Sequence, residues 1–296
     1  LDFVRSNDPK FKKIPGYNQQ LDYIPSQTIT YQVDSAAVMA AGVISPADTA
    51  ALLKQMTINL KDKDYLGKQE LIILDMLRTN NWQRPIYYAI TVSPDQFVKL
   101  DPYFQQTGLA YQLVPMEVKG KARSVNTEKM YDNIMNKFKW GGVDKPGIYL
   151  DENVMRMCKS YRAYVFGRLA ASLIAEGQKE KALNVLDKAM QVLPPENVPL
   201  DYSALSLAEM YYELGQQEKA EAVYTGIADA AMRNVNWFFR LSPQQFTSVL
   251  GELEHNLAVV QEVLRVSKRY HPEFGQKYQE EFDNYRMAYN ALQGKE

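Results

Sequence analysis

Cysteine and histidine are nearly missing from the 296 residues: Cys158, His255 and His271 are the whole supply. A single thiol excludes an internal disulfide framework. A catalytic zinc site uses three protein ligands drawn from His, Cys and carboxylates. Here the two histidines stand sixteen positions apart, Cys158 is distant from both, and no HExxH or CxxC occurs. His255 in mid-helix and His271 before Pro272 therefore read as surface or capping groups, and no metal is expected. An excess of charge of either sign is missing too. The 34 Lys and Arg against 35 Asp and Glu give a net −1, without the basic footprint of a nucleic-acid binder or the basic face of a membrane-surface helix. The nearest thing to a long apolar run, AAVMAAGVI at 36–44, is short and made mostly of small residues. It falls far below the ~20 residues that span a bilayer. The opening LDFVRSNDPK has no signal-peptide stretch and no Met, so the chain reads as a piece of something longer.

Catalytic signatures are equally scarce. There is no GxSxG, P-loop or GxGxxG, each of which places a nucleophile or cradles phosphate. WGG at 140–142 reads as a helix stop. DKDYLGKQELII at 62–73 puts Asp62, Asp64 and Gly67 at positions 1, 3 and 6 of a calcium loop. Leu66 and Ile73 then fall at positions 5 and 12, where such a loop needs oxygen ligands. Asp62-x-Asp64 also resembles the metal-binding pair of nucleotide-sugar transferases, but Lys61 and Lys63 alternate with it and favour a solvated turn. Cys158 lies in a helical pattern with no histidine nearby, so core or neutral surface is the default. Carboxylate-only acid–base pairs stay open, because the acidic residues offer too many pairings. The chain itself reads as non-catalytic, with no cofactor expected.

What is present is an ordinary globular composition, 46% hydrophobic and 23% charged. The length allows one large domain or two smaller ones. Two rhythms divide it into a small α/β domain over residues 1–125 and a helical domain over 126–296. In the first, TITYQVD (28–34) and MTINL (56–60) are β-branched and partly alternating, as strands are. KQELIILDMLRTN (68–80) reads as a helix with Leu71, Ile73, Leu74 and Leu77 on one face. RPIYYAITV (84–92) is almost continuously apolar, which suggests a strand buried on both faces in a parallel sheet. GLAYQLVPM (108–116) is a further strand candidate.

From Asn126 the period becomes 3.6. Asn126 or Thr127 caps TEKMYDNIMNKFKW, and Asp151 caps a long segment that stops at Gly177. Further helices end at Pro194-Pro195 and Gly215. EKAEAVYTGIADAAM follows, Ser242-Pro243 opens a helix to about Tyr270, and Pro272 starts the last one. GQKEKA at 177–182 returns 38 positions later as GQQEKA at 215–220, each time where one helix hands over to its antiparallel partner. The spacing resembles the tetratricopeptide repeat. Gly177, Ala182, Leu186, Ala189 and Pro194 fall at its small, bulky and terminating positions in one copy. Ala208, Tyr211, Gly215, Ala220 and Tyr224 do so in the other, where Ile227 and Met232 replace the later alanine and the proline. The period exceeds the usual 34, and the loop PPENVP absorbs the difference. NLAVVQEVLRVSKRYHP reads as a degenerate third second-helix. The first helices of such an array line a concave groove, on which Tyr164, Arg168, Tyr202, Glu209, Tyr212 and Glu213 would stand. Tyrosine and arginine are enriched in protein-binding hot spots.

TNNWQRPIYYAITVS (79–93), GLAYQLVP (108–115), MYDNIMNKFKWGG (130–142) and YLDENVMRM (149–157) form an ordered set. Together they resemble a bacterial family of multi-pass membrane proteins of unknown function whose membrane part is similar to protein O-mannosyltransferases. The resemblance implies a soluble C-terminal region attached to the inner membrane and facing the periplasm. Membrane helices and any catalytic carboxylates would lie upstream, after which part of the first domain's sheet would be missing. The expectation is a mostly-α, α+β chain: a small α/β unit followed by a tetratricopeptide-like array of helical hairpins. Its partners would be a protein or acceptor polypeptide and the upstream membrane domain, with no nucleic acid and no membrane-spanning segment. Two other roles stay open. One is shaping a sugar or lipid-linked donor site with Trp82, Tyr87 or Tyr103 as stacking faces; the other is purely structural support.

Overall fold

In the computed structural model, residues 6–12, 16, 18, 24, 26–118 and 124–292 are described, and two compact units divide at Met130–Tyr131. The first is built on short antiparallel sheets. β1 (Thr28–Gln32) pairs with β2 (Gln55–Asn59), Thr28 opposite Asn59 and Gln32 opposite Gln55. Alternation decides the faces: Met56 and Ile58 go fully into the core while Gln55, Thr57 and Asn59 stay out. Between them lies α1 (Ser35–Ala40), whose first amides are held by Asp34, with Oδ1 accepting from Ala36 and Ala37 N–H at 3.0 Å each. After β2, α2 runs over Lys68–Asn80, the range expected, and buries Leu74 and Leu77. Its start explains a buried carboxylate. Glu70 accepts from the Gly67 N–H at 2.7 Å and pairs with Lys63, so its charge is satisfied by its own helix end and one ammonium.

The second sheet has the order β3-β5-β4, from β3 (Tyr87–Ala89), β4 (Phe104–Gln106) and β5 (Ala110–Leu113), and both pairings are antiparallel. The parallel sheet expected around RPIYYAITV is therefore absent among the described residues, and the unit is α+β in construction. Only Tyr87–Ala89 of that apolar run is strand, on an edge, with Tyr88 inside and Tyr87 and Ala89 outside. α2 reaches it through a left-handed turn at Asn81 (φ 40°) and Trp82 (φ 64°). The Asn80 side chain closes this turn, donating to the Arg84 carbonyl at 2.7 Å and accepting from the Arg84 N–H at 3.2 Å. The core then fills with Trp82, Tyr88, Phe97, Tyr103, Phe104 and their aliphatic neighbours.

The remainder is helical, as the mostly-α reading expected. α3 (Thr127–Asp132) passes into a π-helical turn at Asn133–Lys137. α4 (Glu152–Tyr161), capped by Asp151, continues through a π-helical turn at Arg162–Gly167 into α5 (Arg168–Ala175). α6 (Lys179–Val192) folds back on it. α7 (Leu205–Glu213) and α8 (Gln217–Phe238) make the next hairpin. The two GQ turns are the same object twice. Gly177 and Gly215 adopt φ of 76° and 73°, a region open to glycine without a Cβ penalty. Gln178 N–H reaches the Leu173 carbonyl and Gln216 N–H the Tyr211 carbonyl, each at 2.8 Å, which closes a Schellman turn in both copies. The alanines that follow, Ala182 and Ala220, are fully buried.

Ser242-Pro243 opens only the short α9 (Pro243–Ser248); α10 (Leu250–Tyr270) and α11 (Gln276–Leu292) follow. α10 packs on both α8 and α7, and α11 returns along α10. α10 thus stands where a first helix would, not in the second-helix place expected for NLAVVQEVLRVSKRYHP. α8 itself runs six residues past the end of EKAEAVYTGIADAAM, to Phe238.

Successive hairpins are joined by polar contacts of two kinds. Arg162 is fully buried and donates to the carbonyls of Leu193 at 2.7 Å and Val198 at 2.6 Å. It thereby pins the PPENVP loop between the two hairpins. Burial lowers its pKa to about 10, against the opposing pull of Asp201. Asp187 on α6 accepts from the Tyr211 hydroxyl at 3.0 Å and from Lys219 Nζ at 2.8 and 2.7 Å, so one carboxylate fastens α6 to both α7 and α8.

Candidate functional site

α5, α7 and the end of α10 border a groove of about 400 Å³. Its floor on one side is Ala163, Gly167 and Ala171, one turn apart from the π-helical turn into α5, with Arg168 beside them. Small side chains at i, i+4 and i+8 keep that wall low. The facing wall is α7, which contributes Ser206, Glu209, Met210 and Glu213, and the end of α10 closes it with Arg269 and Tyr270.

Of the six residues expected on the groove, the structure brings Arg168, Glu209 and Glu213 to its lining. Tyr212 stands behind the wall. Its ring stacks on Tyr270 at 4.6 Å with planes 5° apart, and its buried hydroxyl has no hydrogen-bond partner. Burial, then the charge of Glu221, pushes its pKa up to about 12, so the phenol is neutral throughout the physiological range. Tyr164 and Tyr202 are exposed at 69% and 61% and are not part of the lining. Tyr202 meets His255 of α10 edge-on at 6.2 Å. Sequence reasoning missed the contribution of α10, and missed the stripe Ala163, Gly167, Ala171, which was legible as helical spacing of small residues.

Beneath the groove lies a tyrosine cluster. Tyr224 of α8 is fully buried, and its hydroxyl makes no hydrogen bond. Burial raises its pKa well above the phenol range, and the charges of Glu209 and Glu262 and the Tyr212 and Tyr270 phenols raise it further. Glu262 is held by Arg265 through two contacts of 2.8 and 2.6 Å. His271 caps α10, its Nδ1 2.9 Å from Glu221 Oε1 without the alignment of a hydrogen bond.

Elsewhere the expectations divide. Trp82 and Tyr103 are only 6% exposed each, so neither can offer a stacking face to a sugar. Tyr103 is a core residue whose hydroxyl donates to the Thr57 carbonyl at 2.9 Å. Tyr87 alone of that trio is exposed, and its hydroxyl accepts from Lys129 Nζ at 2.9 Å. Asp62 and Asp64 are exposed. Cys158 is buried, and burial pushes its thiol up, the opposite of an activated nucleophile. Among the described residues no three His, Cys, Asp or Glu side chains are grouped to hold a metal, and no helix is long and apolar enough to cross a membrane.

Residues 1–131 match the family model described as TMEM260-associated domain 2. The sheet unit is thereby similar to a domain associated with a membrane-protein family. The match ends inside α3, so the groove and its hairpins lie outside it. No curated protein and no solved structure matches the chain.

Proposed function

We propose that this chain is the recognition and scaffold region of a membrane-bound, glycosyltransferase-like protein. In this reading residues 1–125 form a domain beside the upstream membrane domain of the same chain, and residues 126–296 form a tetratricopeptide-like array. Both face the periplasm, attached to the inner membrane, and the array holds a protein partner or acceptor polypeptide. The groove bordered by α5, α7 and α10 carries the reading, because three successive first-position helices give it walls of both charge signs and an aromatic end. Polypeptides dock into such surfaces through a few anchored side chains with polar contacts around them. The repeated Schellman turns support the repeat, and the match over residues 1–131 supports attachment to a membrane-protein family. The function is binding without chemistry. The rival role in shaping a sugar or lipid-linked donor site keeps only Tyr87 of its three stacking faces.

The test is a photo-crosslinking residue at Ser206, exposed on the groove wall, with a second placed at Tyr149, which is 89% exposed and outside the groove. In native membranes Ser206 should yield a discrete polypeptide adduct that disappears when Ala171→Trp fills the groove, and Tyr149 should yield none. Silence at Ser206, or an adduct indifferent to Ala171→Trp, would leave the array with only a supporting role.

A further inference from the structure

β1 has an outer edge that pairs with no described strand. Val33 N–H donates to the Lys54 carbonyl at 3.0 Å and Leu60 N–H to the Gln27 carbonyl at 2.8 Å, just past the two ends of the β1–β2 ladder. Antiparallel bonding alternates, so Ile29 and Tyr31 turn their backbone groups toward β2, while Thr28, Thr30 and Gln32 turn theirs outward. On β2 the outward groups of Thr57 are already answered. Its N–H donates to the Tyr103 hydroxyl at 3.3 Å, and its carbonyl accepts from that hydroxyl at 2.9 Å. Thr28 is answered too, by Ser26 Oγ, which accepts from its N–H at 3.2 Å and donates to its carbonyl at 2.7 Å. Thr30 and Gln32 are exposed, and their outward backbone groups bond to no described residue. Exposed edges are blunted by a charge, a proline or a bulge. TITYQ has no charge and no proline, and all five of its pairs with β2 are in register.

We propose that β1 is an interface between two copies of this chain, paired antiparallel about a two-fold axis at Tyr31. In that register Thr30 of each copy faces Gln32 of the other, and each such pair exchanges both of its hydrogen bonds. The groups left open on one copy are thus those that the other supplies, as an isologous contact requires. Neutrality singles out a strand of the same sequence. Like charges directly opposite each other destabilise a ladder, and TITYQ brings none to a seam with itself. Tyr103 interrupts the outer edge of β2 at its centre, so the sheet grows at β1 and closes in the order β2-β1-β1-β2.

Sedimentation of the full 296-residue chain over a concentration series should show a monomer–dimer equilibrium. Thr30→Pro removes an outward N–H and no β1–β2 bond, which an edge strand tolerates; circular dichroism establishes that the variant is folded. It should weaken the dimer ~10-fold or more, because each Thr30–Gln32 pair loses one hydrogen bond. The register is read separately. A Thr30→Cys chain mixed with a Gln32→Cys chain should form a disulfide between the two under mild oxidation, since facing residues stand ~5.5 Å apart at Cα. Either chain alone should not, because like positions lie beyond the ~7 Å that a disulfide spans, and the native Cys158 is buried. A monomer at every concentration with no mixed disulfide overturns the proposal. So does a dimer that Thr30→Pro leaves intact and that yields no mixed disulfide, which would put the contact on another surface. If Thr30→Pro fails to fold, the mixed disulfide alone decides.

Discussion

In the sheet unit Glu70, Gln105, Gln106, Thr107 and Gln112 are buried, whereas the longer helical unit buries only Arg162, Asn256 and Ser267 among its polar described residues. The difference follows from how each backbone meets its hydrogen-bonding needs. β3, β4 and β5 have three, three and four residues, so their ladders stop before the surrounding chain is paired. Glutamine side chains take over: Gln112 Nε2 donates to the Val43 carbonyl at 2.9 Å and Gln106 Nε2 to the Gly108 carbonyl at 3.0 Å. Helices pair their own backbone and need no such help, except where one ends inside the protein. The PPENVP loop is that place, and Arg162 is there. The glutamines and Arg162 thus go where the backbone stops pairing with itself, since an orphaned buried carbonyl is costly; Asn256, inside α10, instead accepts from Asn234 of α8.

The sharpest way to break this comparison is Arg162→Met, which fits the space and leaves the Leu193 and Val198 carbonyls unpaired. At ~1–3 kcal/mol for each unsatisfied group, the loss should be about 3 kcal/mol by chemical denaturation. A loss below ~1 kcal/mol would mean that water serves the loop as well, and the helical side of the comparison would fail. Gln112→Leu tests the sheet side. It orphans the Val43 carbonyl and takes one acceptor from Lys129, for an expected loss of about 2 kcal/mol; an unchanged melt would show that the glutamines are passengers. The smallest effect sharpens the description of the loop's far end. Asp201 is 2.9 Å from Lys159. Burial alone would raise its pKa, but hydrogen bonds from Ser203 and Lys159 outweigh that and hold it below 3.8, the ordinary value. A depressed carboxylate contributes stability above its unfolded pKa and loses it as pH falls through the folded one. Asp201→Asn should therefore cost a few tenths of a kcal/mol at neutral pH. That gap should close below pH 3.8. A gap that persists in acid would assign the effect to the hydrogen bonds that Ser203 donates to Asp201 Oδ1 from its N–H at 3.0 Å and its hydroxyl at 2.6 Å.

The same contrast explains what the sequence made legible. α2 could be read to the residue, and the glycine stops at 177 and 215 placed two hairpins, because periodicity and capping are local. Strands over 28–34, 56–60 and 108–116 were visible for the same reason. Pairing direction is not local: nothing in RPIYYAITV distinguishes a buried parallel strand from three edge residues, and the polar FQQ of β4 carries no apolar signal. The groove divides likewise. Arg168, Glu209 and Glu213 follow from counting along the helices on either side of the GQ turns, whereas Arg269 and Tyr270 arrive from α10, a helix outside the hairpins that those turns mark. Tyr212 was assigned to the right helix and turned inward, because Tyr270 offers it a stacking partner that counting cannot show.

Asp187 gives the array a mechanical property. It gathers α6, α7 and α8 at one point on the second-helix side, away from the groove. With Arg162 holding the loop between the hairpins from the other side, the two hairpins are fixed at two separate points, so the order of α6, α7 and α8 does not rest on apolar packing alone.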